Sequence, residues 1–390
     1  MLIFDAHLDL ALNGVDWNRD LRQSVSDIRS QERFLQMNQL GRGNGTVSFP
    51  ELQRADVRVG IATLLARQEQ PINHAFGRTT PEACYAIASA HLAYYHGMTK
   101  SGWMRPITDR QQLTDHLSEL ANASEKTPFG YLLSMECADA VLDPDAIYEW
   151  YDKGLRAIGI THYGVNRYGG GTRSEVGLTI DAIPLLRNIE QLGMVLDLTH
   201  LSDVAFWQVA ERFSGRMIAS HQNARKFCDW QRQFSDRQLG VVIERGGVIG
   251  VALDAIMLQP GWVYGETKSE VTLDRVVDNI DHICQLAGNC SHVGIGSDLD
   301  GGFGSEQTPC DVDTIADLQL LVERLTNRGY SKSDVQAFMH GNWIRFFQEA
   351  LPEAENTTKK HDGNADRLKR NGHRVDLRSE NAIHFESQLK

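Results

Sequence analysis

Three things are scarce in this chain, and each scarcity excludes something. No apolar run approaches the ~20 residues that a membrane-spanning helix needs, so no membrane span is expected. Basic residues are outnumbered, with 39 Lys and Arg against 51 Asp and Glu and a formal charge of −12. That balance argues against nucleic acid or an anionic membrane surface as the main partner. Cysteine is sparse and scattered: six residues, at 84, 137, 228, 284, 290 and 310, with no C-x-x-C pair. In a chain of 390 residues this reads as reduced thiols, not a disulfide framework. The opening MLIFDAHLDL has no basic stretch and no small-residue cleavage site, so no signal peptide is expected and the chain reads as cytoplasmic.

What is present is an ordinary globular composition, 42% hydrophobic and 23% charged, at a length that α/β barrels use as one unit. Short apolar, β-branched runs recur at Leu2–Phe4, Val59–Leu65, Tyr131–Ser134, Ala157–Ile160, Met194–Leu198, Met217–Ala219, Val248–Leu253 and His292–Gly296. Apolar runs without alternation fit strands buried on both faces. Eight of them, separated by segments of helical spacing, predict an α/β fold, a (β/α)8 TIM barrel.

Almost every run ends on a group that can bind metal or move a proton. These are His7 and Asp9, Glu136, His162, His200, His221, Asp254 and Asp298. All strands of such a barrel point the same way, so their C-terminal ends converge on one face, where active sites are built. Seven strand ends carrying His, Asp or Glu is hard to obtain by chance.

Between the first two strands lies a long polar insertion, Val15 to Asp56, with Gly41, Gly43 and Gly45. No strand leads into those glycines and no Gly-Lys-Ser/Thr follows, so a loop is expected there and not a phosphate cradle. Gly169-Gly170-Gly171 reads as a flexible loop on the active face. The barrel domain is expected over 1–350, followed by a polar C-terminal extension, 351–390, rich in Asn, Lys and His. The extension has the composition of a disordered segment, yet it is expected to be ordered, packed on its own barrel or on the neighbouring subunit of a homodimer.

His7 and Asp9 stand at i and i+2 on a strand, so both can face the barrel mouth. A lone H-x-D means little; with Glu136, His200 and His221 at other strand ends it becomes a ligand set. Imidazole and carboxylate together suit zinc. Five ligands are too many for one catalytic zinc with an open position, and fit two metals sharing a carboxylate and a water. The remaining histidines carry no expected role: His91 and His96 lie on a predicted helix, and His292 precedes the eighth strand. Asp197, three residues before His200, is expected to support the site without binding metal.

Taken in order, these residues resemble the membrane (renal) dipeptidases of metallopeptidase family M19, within the amidohydrolase-like metal-dependent hydrolases. The resemblance spans about residues 1–350. It rests on Asp5-Ala6-His7-Leu8-Asp9, Ser134-Met135-Glu136, Thr161-His162 with Asn166, and Leu196-Asp197-Leu198-Thr199-His200. It continues through Ser220-His221, Arg232 eleven residues on, Gly296-Ser297-Asp298-Leu299-Asp300-Gly301 and Gly341-Asn342-Trp343-Ile344-Arg345. The resemblance implies two Zn²⁺ per chain, one on His7 and Asp9 and the other on His200 and His221, with Glu136 bridging. It also implies that His162 contacts the substrate carbonyl and that Asp298 handles the proton. Arg232 would grip the terminal carboxylate of a dipeptide, a task that suits a guanidinium fork. Two residues depart from the family: Cys137 stands where Gly is usual, and Arg232-Gln233 where Arg-Asn is usual.

The reading that follows is a zinc-dependent dipeptidase. The same barrel and metals would also serve a related amidohydrolase acting on another amide, a lactone or a cyclic imide. A barrel that has lost hydrolysis and serves as an accessory protein is disfavoured by the intact ligand set.

Overall fold

Eight parallel strands in the computed structural model carry the architecture: β1 (Ile3–Leu8), β2 (Val57–Leu65), β3 (Phe129–Glu136), β4 (Leu155–Gly159), β5 (Val195–Asp197), β6 (Met217–Ile218), β7 (Ile249–Val251) and β8 (Val293–Ile295). The structure describes residues 1–69, 77–122, 127–263 and 269–354. Pairing runs β7-β8-β1-β2-β3-β4-β5-β6. A parallel bridge from Ala219 to Ile249 joins the two outer strands, with Ala219 N donating to the Val248 carbonyl at 3.1 Å and Gly250 N to the Ala219 carbonyl at 2.8 Å. The ring of strands is a (β/α)8 barrel, as expected from the eight apolar runs. Helices such as Ala182–Gln191, Asp203–Arg212, Asp236–Glu244 and Leu273–Ala287 return the chain between successive strands. The starts of the last three are marked in the sequence: Ser202, Ser235 and Thr272 each accept a backbone N–H of the first turn, and Gln238 completes a capping box with Ser235.

Alternation along the strands sorts two cores. Phe4 and Ala6, Val59 and Ile61, Leu132, Ala157, Val195, Ile218 and Val248 form one buried set, while their neighbours in sequence, such as Ile3, Val57, Leu133, Ile158 and Leu196, pack in the other, with the helices. The first set is closed by the helix Asn342–Ala350, whose Trp343, Phe346 and Phe347 join it. Phe4 stacks on Phe347 at 5.7 Å and on Trp343 at 6.0 Å between ring centroids, and the indole of Trp343 donates to the Ile295 carbonyl at 2.9 Å. One end of the barrel is therefore an aromatic plug.

Glycines 41, 43 and 45 lie in turn and irregular backbone, as expected, but the insertion also carries two helices, Val25–Phe34 and Phe49–Arg54. The first turns Val25, Ile28 and Glu32 inward, so a carboxylate interrupts the apolar stripe that would have disclosed it. Buried Arg19 holds that carboxylate at 2.8 Å and lies 3.3 Å from Asp300. Asp300 in turn accepts from Thr46 N at 2.7 Å and Val47 N at 2.9 Å. The insertion is thus tied by buried ion pairs to the end of β8. Asp300 is a structural anchor.

The barrel unit runs Met1–Glu353. The extension expected to pack on the barrel or on a partner lies outside the described residues from 355 onward. Among the described residues no helix is long and apolar enough to cross a membrane.

Candidate metal centre

The strand ends converge as their parallel direction requires. Glu136 closes β3, and its two carboxylate oxygens face different partners. Oε2 lies 3.4 Å from His7 Nε2, which is itself 3.7 Å from Asp9 Oδ2. Oε1 lies 3.2 Å from His200 Nε2 and 3.4 Å from His221 Nε2, and 3.5 Å from His162 Nε2. Donor atoms around a tetrahedral zinc with bonds of ~2.1 Å stand about 3.4 Å apart, so these separations are those of a coordination shell. His7, Asp9 and Glu136 form one cluster of three donor atoms, Glu136, His162 and His200 another, and His7, His221 and Asp298 a third. His162 and Asp298, expected to act on substrate, therefore sit within reach of the metal clusters themselves.

Hydroxyl groups set the imidazoles. Thr172 Oγ1 is 3.0 Å from His200 Nδ1 and Ser220 Oγ is 2.9 Å from His221 Nδ1, so in each ring Nε2 is the atom turned to Glu136. Thr63 Oγ1 donates to the Asp9 carboxylate. Asp197 takes no part in the cluster; it accepts from Thr199 N, Thr199 Oγ1 and Ser220 N at 2.8–3.1 Å, which holds the two segments that carry His200 and His221.

The electrostatics fit a cation. Burial, then the charges of Arg232 and the neighbouring histidines, pushes His200 well below the ordinary histidine range; burial, then His7 and Arg232, does the same to His221. Both rings are neutral, with lone pairs to offer. Burial pushes the Glu136 carboxyl up. Burial also opposes charge on His7, but Glu136 and Asp9 outweigh it and raise that ring well above its usual value. These carboxylates call for positive charge between them, and His7 Nε2 is buried without a hydrogen-bond partner among the described residues. A divalent ion would satisfy both.

Backbone strain gathers at the same end. Cys137, His200, Asp298 and Asp300 all have left-handed backbones, with φ of 82°, 68°, 59° and 61°, a region L side chains enter at a cost. Cys137 is where glycine was expected, and its φ explains that preference. Its side chain does not crowd the metal cluster: Sγ is 3.3 Å from Asp139 Oδ2 and 3.5 Å from Asn166 Nδ2. The glycines at 169–171, expected as a flexible loop, are corrected to a packed turn. Tyr163 bridges Thr172, Thr172 N donates to the His162 carbonyl at 2.8 Å and Gly171 N to the Gly164 carbonyl at 2.6 Å. A Cβ on Gly171 would overlap the His162 carbonyl, and one on Gly170 the Val176 carbonyl. Close approach, not freedom, requires glycine here.

Above the cluster opens a cavity of about 640 Å³ lined by Asp9, Glu136, His162, His200, His221, Asp298 and, beyond them, Tyr163, Arg67, Arg173, Arg232 and Asp254. Arg232 is buried; Nη1 donates to Gln222 Oε1 at 2.7 Å and Nη2 to the His221 carbonyl at 2.9 Å. Asp298 stands 3.8 Å from His7 Nε2; burial pushes its carboxyl well above the carboxylate range, and Asp254, Glu136 and Asp9 add to this. Asp254, to which no role was assigned from sequence, is pushed up to about 6 by burial and accepts from Gln307 Nε2 at 2.7 Å. Thr172, Tyr163 and Arg173 were not legible as site residues, because they lie on loops whose return to the mouth has no signature in sequence; Arg67 opens a two-residue strand, too short to mark itself.

Several known proteins are similar to this chain. An uncharacterized protein from the pqqA 5′ region of Klebsiella pneumoniae is 30% identical over 204 residues, covering 50% of this chain and 72% of its own. Mouse dipeptidase 3 is 30% identical over 173 residues, 44% of this chain and 33% of that one, so the chain spans a third of the length of that relative. A crystal structure of a metallopeptidase from Rhodobacter sphaeroides, liganded with a phosphinate mimic of L-Ala-D-Ala, shares the fold with a TM-score of 0.71 at 22% identity, over 90% of this chain and 99% of that one. With residues 1–361 matched by the model of the membrane dipeptidases, the chain belongs to peptidase family M19 and so to the metallo-dipeptidases, hydrolases of peptide bonds.

Proposed function

We propose that this chain is a dipeptidase working with two zinc ions, one held by His7 and Asp9, the other by His200 and His221, with Glu136 between them. The observation that carries the reading is the division of Glu136, one oxygen turned to each ligand pair. When bound, such a pair of ions activates a water and polarises a carbonyl. The protein's own groups do the rest. His162, at the edge of the cluster, donates to the carbonyl oxygen as charge develops on it. Asp298, 3.8 Å from His7 Nε2, takes a proton from the attacking water and passes it to the leaving amine. Arg232 takes the carboxylate one residue beyond the scissile bond and so measures where the substrate ends.

The test is Arg232→Ala with free and C-terminally amidated dipeptides. Wild type should strongly prefer the free acid, and the variant should lose most of that preference, because an unpaired buried charge contact of this kind is worth roughly 2–5 kcal/mol. Equal turnover of both substrates by wild type would remove Arg232 from recognition and favour a general amidase.

A further inference from the structure

One arginine at the cavity mouth has no role in the reaction described above. Arg173 lines the cavity and directly follows Thr172, the residue that contacts the ring of His200. Its backbone is left-handed, with φ of 66°, and its N–H donates to Gln231 Oε1 at 2.8 Å, next to Arg232 in sequence. The guanidinium carbon sits 5.4 Å from the Tyr163 ring centroid and 5.7 Å from that of Trp230. Two aromatic faces therefore hold the fork in place while its N–H edges remain able to bind.

The neighbouring cations differ from it. Arg67, on the same Tyr163 ring at 5.8 Å, is 3.5 Å from Glu69. Arg232 is buried and committed to Gln222 and the His221 carbonyl. Arg173 is exposed and pairs with no carboxylate among the described residues. Arg173, Arg232 and Tyr163 all line the same cavity, so both guanidinia bear on one stretch of its wall. A solvent-facing arginine in a polar loop needs neither a left-handed backbone nor an aromatic clamp. An anion receptor is served by both, since they fix the fork before the ligand arrives.

We infer that Arg173 forms a second carboxylate subsite beside Arg232, selecting dipeptides whose C-terminal residue carries an acidic side chain. The inference rests on the dipeptidase reading, in which Arg232 takes the terminal carboxylate. The substrate's two carboxylates would then be shared between two arginines joined through Gln231.

The experiment compares kcat/KM of the zinc-loaded enzyme for Ala-Glu and Ala-Asp against the isosteric Ala-Gln and Ala-Asn, with L and D forms of the second residue. Asp-Ala and Asn-Ala serve as the reversed pair. Wild type is expected to favour the acidic C-terminal residue by roughly tenfold or more, the range of a charged hydrogen-bonded contact. Arg173→Asn removes the charge and suits the left-handed backbone, so a folded variant is expected; its acidic-to-amide ratio should fall towards one, and Arg173→Lys should keep part of the preference. A wild-type ratio near one, a ratio unchanged in Arg173→Asn, or a preference for an acidic first residue would each overturn the inference while leaving the dipeptidase reading standing. Failure to cleave any dipeptide would overturn both.

Discussion

The two ends of this barrel are built on opposite principles. At one end Phe4, Trp343, Phe346 and Phe347 fill the interior with stacked rings, and the indole N–H meets the Ile295 carbonyl. At the other, Asp9, Glu136 and Asp298 share a buried space with His7, His162, His200 and His221, on a backbone left-handed at five non-glycine positions between 137 and 300. Burying a large apolar side chain stabilises a fold by about 1.5–3 kcal/mol, whereas each such strained residue costs roughly 1–3 kcal/mol. The plugged end offsets the strain of the open one. A site can hold charges and conformations that oppose folding because the same eight strands are anchored elsewhere.

The comparison is broken most severely by changing one atom at the open end. Asp298→Asn should cut turnover by roughly 10²–10⁴-fold, the range for loss of a positioned acid/base group, while metal content and melting temperature stay near wild type. Metal lost from that variant would instead make Asp298 a ligand, as its place beside His7 and His221 allows. At the plugged end the effects should be reversed. Phe347→Ala should lower unfolding free energy by about 3–5 kcal/mol, as truncating a core aromatic does, yet leave KM close to wild type in the folded fraction. A large change in KM with little loss of stability would show that the two ends are not separable.

The smallest effect isolates strain. Substituting Cys137 by Ala or by Gly removes the same thiol, but only Gly is at ease at φ of 82°. Chemical denaturation should find the Gly variant more stable than the Ala variant by about 1 kcal/mol. An Ala variant of equal or greater stability would show that the left-handed conformation carries no cost there.

The same contrast explains what the sequence could disclose. Strands β1 to β8 were legible as apolar runs because they are buried on both faces, and the candidate ligands were legible because each stands at the end of such a run. Glu136 after Met135 and His200 after Thr199 need no long-range information. The helix Val25–Phe34 was hidden because Glu32, paired with Arg19, takes an inward place that an apolar residue would normally mark. Thr172 and Arg173 were hidden for another reason: their position depends on glycines 170 and 171 letting two carbonyls approach closely, a matter of loop geometry with no period. Cys137 was visible as a departure, but its φ, which gives the departure meaning, was not.

The central claim is that Glu136 stands between two metal ions. Elemental analysis of protein purified without chelator, run beside a dipeptide assay on the same sample, tests it most directly. Two zinc ions per chain are predicted in the active enzyme, with activity lost on chelation and restored as zinc returns to two equivalents. Full activity with one metal, or with none, would contradict the account.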